Sequence, residues 1–213
     1  MAKLKSSLIN MLLSLTLIAL VAAGLLAAVY TVTEEPINKA KAEKQAAAKL
    51  AVLPQMEGLV VAEEAEEVEG IRIYKAYAGD ELIGAAVETK ENGFGGVFKM
   101  MVGFDKEGTV TGYQVLEHQE TPGLGSKMDE WFKTDKNRQS ILSRNPGQDN
   151  FTVSKDGGDV DAITAATISS RAFLLAVTKA YNAYLSDKLE ATTGATVMVE
   201  EETEVETIEI QED

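Results

Sequence analysis

Residues Leu8 to Val29 read LINMLLSLTLIALVAAGLLAAV, 22 residues without a single charged side chain. No other stretch limits the fold so severely. At helical rise the segment spans roughly 33 Å, the hydrocarbon thickness of a bilayer. Its backbone can cross that medium only as a helix, because lipid offers no partner for N–H and C=O groups. Lys3 and Lys5 precede it, and Glu34 and Glu35 follow it. The positive-inside bias therefore predicts a cytoplasmic N-terminus, with everything after Tyr30 on the outer face. A cleaved signal sequence is the competing reading, with small residues at Ala27 and Ala28. Signal sequences have apolar cores of about 7–15 residues, so a retained single-pass anchor is expected.

The remaining sequence is long enough for one ordinary domain. The 213-residue chain carries a net charge of −14 and no cysteine. Its first thirty residues hold only Lys3 and Lys5, so residues 31–213 carry −16. Such a surface repels phosphate backbones and argues against nucleic acid as a partner. Disulfides, thiolate zinc sites and cysteine-held clusters are excluded, and His118 alone cannot build a histidine metal site. Eight acidic residues crowd the last fourteen positions, which predicts a solvated tail.

Beyond the anchor, Thr31 to Pro36 reads as an exit linker. Pro36 suits the first turn of a polar stalk helix over Ile37 to Leu53, which Pro54 stops. The five glutamates between Glu63 and Glu69 read as an acidic loop. Alternation and turn residues predict strands at Ile71–Tyr77, Leu82–Thr89, Val97–Phe104 and Val110–Leu116. Their short turns imply antiparallel pairing. A helix is expected over Asp129–Leu142, a short strand at Phe151–Val153, and a strong amphipathic helix over Ile168–Leu185. The fold class is α+β, a curved antiparallel sheet with packed helices behind an N-terminal transmembrane helix.

Two runs carry the chemistry. In Asp161-Ala162-Ile163-Thr164-Ala165-Ala166-Thr167-Ile168-Ser169-Ser170, a threonine stands at the start of the last helix. Unpaired amides and the positive end of the helix dipole favour a phosphate there. Ala165 and Ala166 let a group approach the backbone. Ser169 and Ser170 are candidate donors to phosphate oxygens, and Asp161 is expected to brace the turn through backbone N–H groups. A hydroxyl cap before a core helix is the plainer reading of the same spacing. In His118-Gln119-Glu120-Thr121-Pro122-Gly123-Leu124-Gly125, a proline and two glycines force an irregular loop whose backbone can lie against a planar ligand.

The first run resembles the flavin-attachment sequence of FMN-binding domains, in which a threonine carries FMN through a phosphodiester. Asp161, Thr164, Ala165, Ala166 and Thr167 fill the pattern, with Ala165 where glycine is commoner. A second stretch, Glu190 to Thr196, has a similar core but is followed by acidic residues rather than an amphipathic helix, which favours Thr167 over Thr196. Together with Glu120–Gly125, the Gly93-Phe94-Gly95-Gly96 run and the membrane segment, the chain is similar over residues 5–187 to two families. These are the RnfG subunits of Rnf ion-translocating electron transport complexes and the related NqrC subunits of sodium-pumping NADH:quinone reductase.

The resemblance implies covalent FMN on Thr167, with Glu120, Thr121, Gly123, Leu124 and Gly125 lining the ring site. It also implies other membrane and peripheral subunits as partners, an FAD-dependent flavin transferase, and electron transfer between ferredoxin and NAD as a non-autonomous part of a translocase. The expected boundaries are a cytoplasmic N-terminus at 1–7, the transmembrane helix at 8–30 and a linker and stalk at 31–55. The FMN-binding domain follows at 56–189 and an acidic tail at 190–213. A membrane-anchored binding domain without flavin is the reading from a different class.

Overall fold

A computed structural model describes residues 8–193 of the chain. The first helix, α1 (Leu8–Ala51), runs unbroken for 44 residues, about 66 Å. The linker expected at 31–36 is absent: Pro36 lies inside the helix. The apolar segment must already be helical in lipid, so Pro36 meets an elongating helix rather than a costly nucleation step. Its missing N–H removes one bond without ending the element. Leu8, Leu15, Leu26 and Val32 are all more than 60% exposed, and the most apolar window has a mean hydropathy of 2.6 with none of it buried. Lipid is the medium that such a surface requires.

Six antiparallel strands follow: β1 (Leu59–Val61), β2 (Glu66–Val68), β3 (Ile71–Ala78), β4 (Glu81–Asn92), β5 (Val97–Asp105) and β6 (Val110–Glu117). The order is β1-β3-β4-β5-β6, with β2 also paired to β3. The four longer strands lie where alternation predicts them. β2 occupies part of the expected acidic loop, with Glu67 opposite Arg72. Phe151–Val153 makes only an isolated parallel bridge, Val153 to Val160. The helix expected over Asp129–Leu142 shrinks to α2 (Met128–Trp131). Ile141 donates its amide to Phe132 O, and Asn137 takes a left-handed φ of 52°, so this segment folds back instead of coiling on. The last helix, α3 (Thr167–Thr193), continues through Glu190–Thr193, positions expected to begin the tail. Thr196 and the rest of the acidic tail lie outside the described residues.

Period-2 alternation gives the sheet two buried faces. Ile73, Val87, Met100, Val102 and Phe104 face α3, whose Phe173, Leu174, Val177 and Tyr184 complete the larger core. Tyr74, Ala76, Ala86, Met101 and Leu116 face the end of α1, packing on Ala48, Val52 and Leu53. The end of α1 sits close because Gly103 and Gly112, paired across β5 and β6, leave their outward positions to Val52. The Thr111 hydroxyl donates to Val52 O at 2.6 Å, and the Lys41 ammonium pairs with Glu117 at 3.1 Å.

At the other end of α3, Lys75 lies between Glu66 (2.7 Å) and the buried Asp187 (3.3 Å). Burial, then the neighbouring Glu66 carboxyl, pushes Asp187 up to about 6. Glu66 is held below its ordinary value, first by its hydrogen bond with Asp187 and then by Lys75.

Two outcomes follow from this packing. A side chain at Gly103 meets Val52 backbone, so Gly103→Val should cost about 1–3 kcal/mol in chemical unfolding of the detergent-solubilised chain. The folded state holds the Asp187 proton above the unfolded value. The stabilisation that this proton contributes is therefore fully present at low pH and is lost as pH rises from about 4 to 6. Asp187→Asn should flatten that slope and raise the melting temperature at pH 7.5 more than at pH 5; an equal shift at both would assign no titration to this carboxyl.

Candidate functional site

The loop after β6 and the N-terminus of α3, about forty residues apart in sequence, meet at one buried carboxylate. Glu120 is 5% exposed. Its Oε2 accepts the Ser169 hydroxyl of α3 at 2.6 Å, and its Oε1 accepts the Gly95 amide at 3.1 Å. Three segments are thereby tied together: the Gly93–Gly96 turn between β4 and β5, the loop after β6, and the first turn of α3. A side chain at Gly93 or Gly125 would displace this carboxylate, and one at Gly95 would run into the Gln119 backbone. The loop also braces itself: the Gly123 amide donates to Ser126 Oγ at 2.9 Å and the Leu124 amide to Thr121 O at 3.1 Å.

The attachment run is held from behind. The Ser170 hydroxyl donates to Ala166 O and accepts the Ile163 amide, both at 2.9 Å. Ala165 between them has φ 63°, a left-handed conformation that glycine adopts without cost. This accounts for the preference for glycine at that position of the motif. Asp161 lies outside the cavity, and its contacts with Trp131 and Arg138 run to α2 and the segment after it rather than to the turn before α3. Its carboxylate accepts the Arg138 amide at 3.3 Å, and its carbonyl accepts Trp131 Nε1–H at 2.9 Å. The Ser154 hydroxyl, then the Arg138 amide and guanidinium, hold the Asp161 carboxyl below its ordinary value.

These segments enclose a cavity of about 410 Å³, lined by Phe94, Glu120, Thr121, Leu124, Gly125 and Ala165 through Ser169. Thr167 is half-buried at its edge, on the first turn of α3. The amides of Thr167, Ile168 and Ser169 are those a helix leaves without an internal acceptor, and the dipole's positive end lies there. Phe94, Leu124 and Ile168 are 68%, 39% and 53% exposed, an apolar rim that no described residue covers.

Of the expected site residues, Glu120, Thr121, Leu124, Gly125, Thr167 and Ser169 come together in this cavity; Asp161, Thr164, Gly123 and Ser170 do not line it. Two roles change. Ser170 spends its hydroxyl on the loop behind, and Ser169 gives its proton to Glu120, so neither serves here as a spare donor to a phosphate. Thr164 is exposed. Phe94 and Ile168 are additions. A large apolar residue between glycines in a turn has no core to enter, and that is the sequence signal for Phe94. A larger cavity of about 630 Å³, lined by Lys127, Glu130, Trp131 and Gln139 among others, holds none of the expected residues. The two runs converge on the smaller cavity, and convergence rather than size marks the site.

The sequence profile of the FMN-binding domain family matches residues 93–182, from the Gly93 turn to the middle of α3. The RnfG protein of the ion-translocating oxidoreductase complex from Vibrio cholerae serotype O1 is 36% identical over 182 residues, 79% of this chain and 86% of the relative. The protein of the same name from Yersinia pestis is 36% identical over 184 residues, with the same coverage. That from Pseudoalteromonas atlantica is 32% identical over 191 residues, 83% and 87% of the two chains.

The left-handed backbone at residue 165 gives a direct test of the loop. Ala165→Gly relieves a Cβ penalty of about 1–2 kcal/mol against a smaller loss to chain entropy, so thermal unfolding should show a net gain of about 0.5–1 kcal/mol. A loss of stability would mean that the loop does not hold this conformation.

Proposed function

The chain belongs to the RnfG family of ion-translocating oxidoreductase complexes, and on that footing we propose that it carries electrons on FMN joined through its phosphate to Thr167. The observation that carries this reading is the meeting of the Glu120–Gly125 loop and the Thr167 helix terminus in one cavity. Bound FMN supplies a ring that accepts and returns electrons; this chain's residues hold and orient it.

The Thr167 hydroxyl is the point of linkage, half-buried yet open to a transferase that uses FAD. The amides of Thr167, Ile168 and Ser169 and the α3 dipole stabilise the charge that remains on a phosphodiester. Ala165 and Ala166 keep the approach free of bulk. Phe94, Leu124 and Ile168 cover the apolar faces of the ring, and the Thr121 hydroxyl and loop amides meet its polar edge. Glu120 fixes the wall that all of them stand on.

The cavity lies on the outer side of the membrane, by the charge asymmetry around α1. Covalent linkage keeps there a cofactor that would otherwise diffuse away. The chain works with the other subunits of an Rnf-type complex between ferredoxin and NAD, and those subunits supply the substrate sites and the ion path.

Intact-mass analysis of protein from native membranes tests the linkage. Wild type should carry one FMN-sized adduct and fluoresce in a denaturing gel. Thr167→Ala should lose both, and Thr196→Ala should keep both. Loss in Thr196→Ala alone moves the linkage to that residue, and an unmodified wild type defeats the reading.

A further inference from the structure

The chain has one histidine, and it stands just before the loop that lines the cavity. His118 is the first residue after β6, where the loop carrying Glu120, Thr121, Leu124 and Gly125 begins. Its Nδ1 accepts the Glu120 amide at 3.3 Å, and its Nε2 lies 3.7 Å from Asp129 Oδ2 of α2. The ring is only partly exposed, at 25% of its side chain. An accepting Nδ1 has no proton, so the neutral ring carries its proton on Nε2, toward Asp129.

We propose that His118 is a positioning residue whose neutral ring seats Glu120, so that uptake of one proton loosens the wall of the cavity. This rests on the reading of the cavity as an FMN site. A proton added at Nδ1 sets two N–H donors against each other, the ring's and that of the Glu120 amide. The contact is lost, and the imidazolium is drawn to Asp129 instead. Glu120 is the residue through which the Gly95 turn and Ser169 of α3 are tied. A change in its backbone seat therefore reaches both sides of the cavity.

The other charges near the ring do not replace this switch. The Glu120 carboxylate is taken up by Ser169 and Gly95, and Glu117, the residue before His118, pairs with Lys41 of α1 and Lys99 of β5. Asp129 is left as the charged group that faces the imidazole from a neighbouring element.

A single histidine makes the test direct, because ¹⁵N-histidine labelling of the full chain in detergent gives one residue's signals. At pH 8 the spectrum should show an unprotonated Nδ1 and a protonated Nε2. In a uniformly ¹⁵N-labelled sample, the Glu120 and Gly95 amide resonances should move with the same midpoint as the ring on acidification. His118→Ala should speed exchange of the Glu120 amide about tenfold, the loss of roughly one hydrogen bond. His118→Asn offers an amide oxygen in place of Nδ1. It should restore protection and abolish its pH dependence.

In the FMN-loaded protein, the wild-type flavin midpoint potential should show an inflection at the ring's midpoint that both variants lack. A proton on Nδ1 at pH 8, or a wild-type pH profile in His118→Asn, overturns the proposal. Protein that carries no FMN defeats the cofactor reading instead, and the amide measurements still decide the role of His118.

Discussion

One carboxylate with no cationic partner among the described residues organises the functional end of this protein. Glu120 is buried, and its two oxygens are satisfied by a backbone amide from one turn and a hydroxyl from a helix. A charge taken out of water costs several kcal/mol unless it is well hydrogen-bonded, so this geometry is kept only because all three segments stay in place together. The glycines around it follow from the same constraint. Gly93 and Gly125 are the space that the carboxylate occupies. The N-terminus of α3 and the apolar rim are thus tied to each other through one side chain.

The sheet does the complementary task of fixing the helices. Its two buried faces hold α3 on one side and the end of α1 on the other. Aromatic contacts strengthen the first of these: Phe104 of β5 stacks on Tyr184 at 5.7 Å between ring centroids, and Tyr113 of β6 meets Phe173 edge-on at 4.9 Å. The site is therefore assembled from irregular segments on a rigid base, the usual division of labour between loops and scaffold.

Much of this is legible in the sequence, and the exceptions have physical causes. Val97–Phe104 and its neighbours declare themselves by alternation and turn residues, and α3 by its apolar spacing. Thr167 and the Glu120–Gly125 loop are legible through their likeness to a known motif. The length of α1 is not, because Pro36 reads as the first turn of a new helix, whereas a helix already formed upstream continues through it. β2 is hidden by its glutamates, whose pairing with β3 is a tertiary matter. The segment after α2 has helical composition, and only its long-range contacts, such as the Arg138 amide to Asp161, pull it into another shape. The roles of the two serine hydroxyls escape a sequence reading, because sequence shows which groups can donate, not which acceptors have already claimed them.

The continuity of α1 has a mechanical meaning. A helix without a joint, clamped at its far end by Gly103, Gly112 and Thr111 against Val52, transmits orientation as well as attachment. A continuous helix sets the distance between the apolar stretch and the globular part, so a partner has to meet the globular part at that distance.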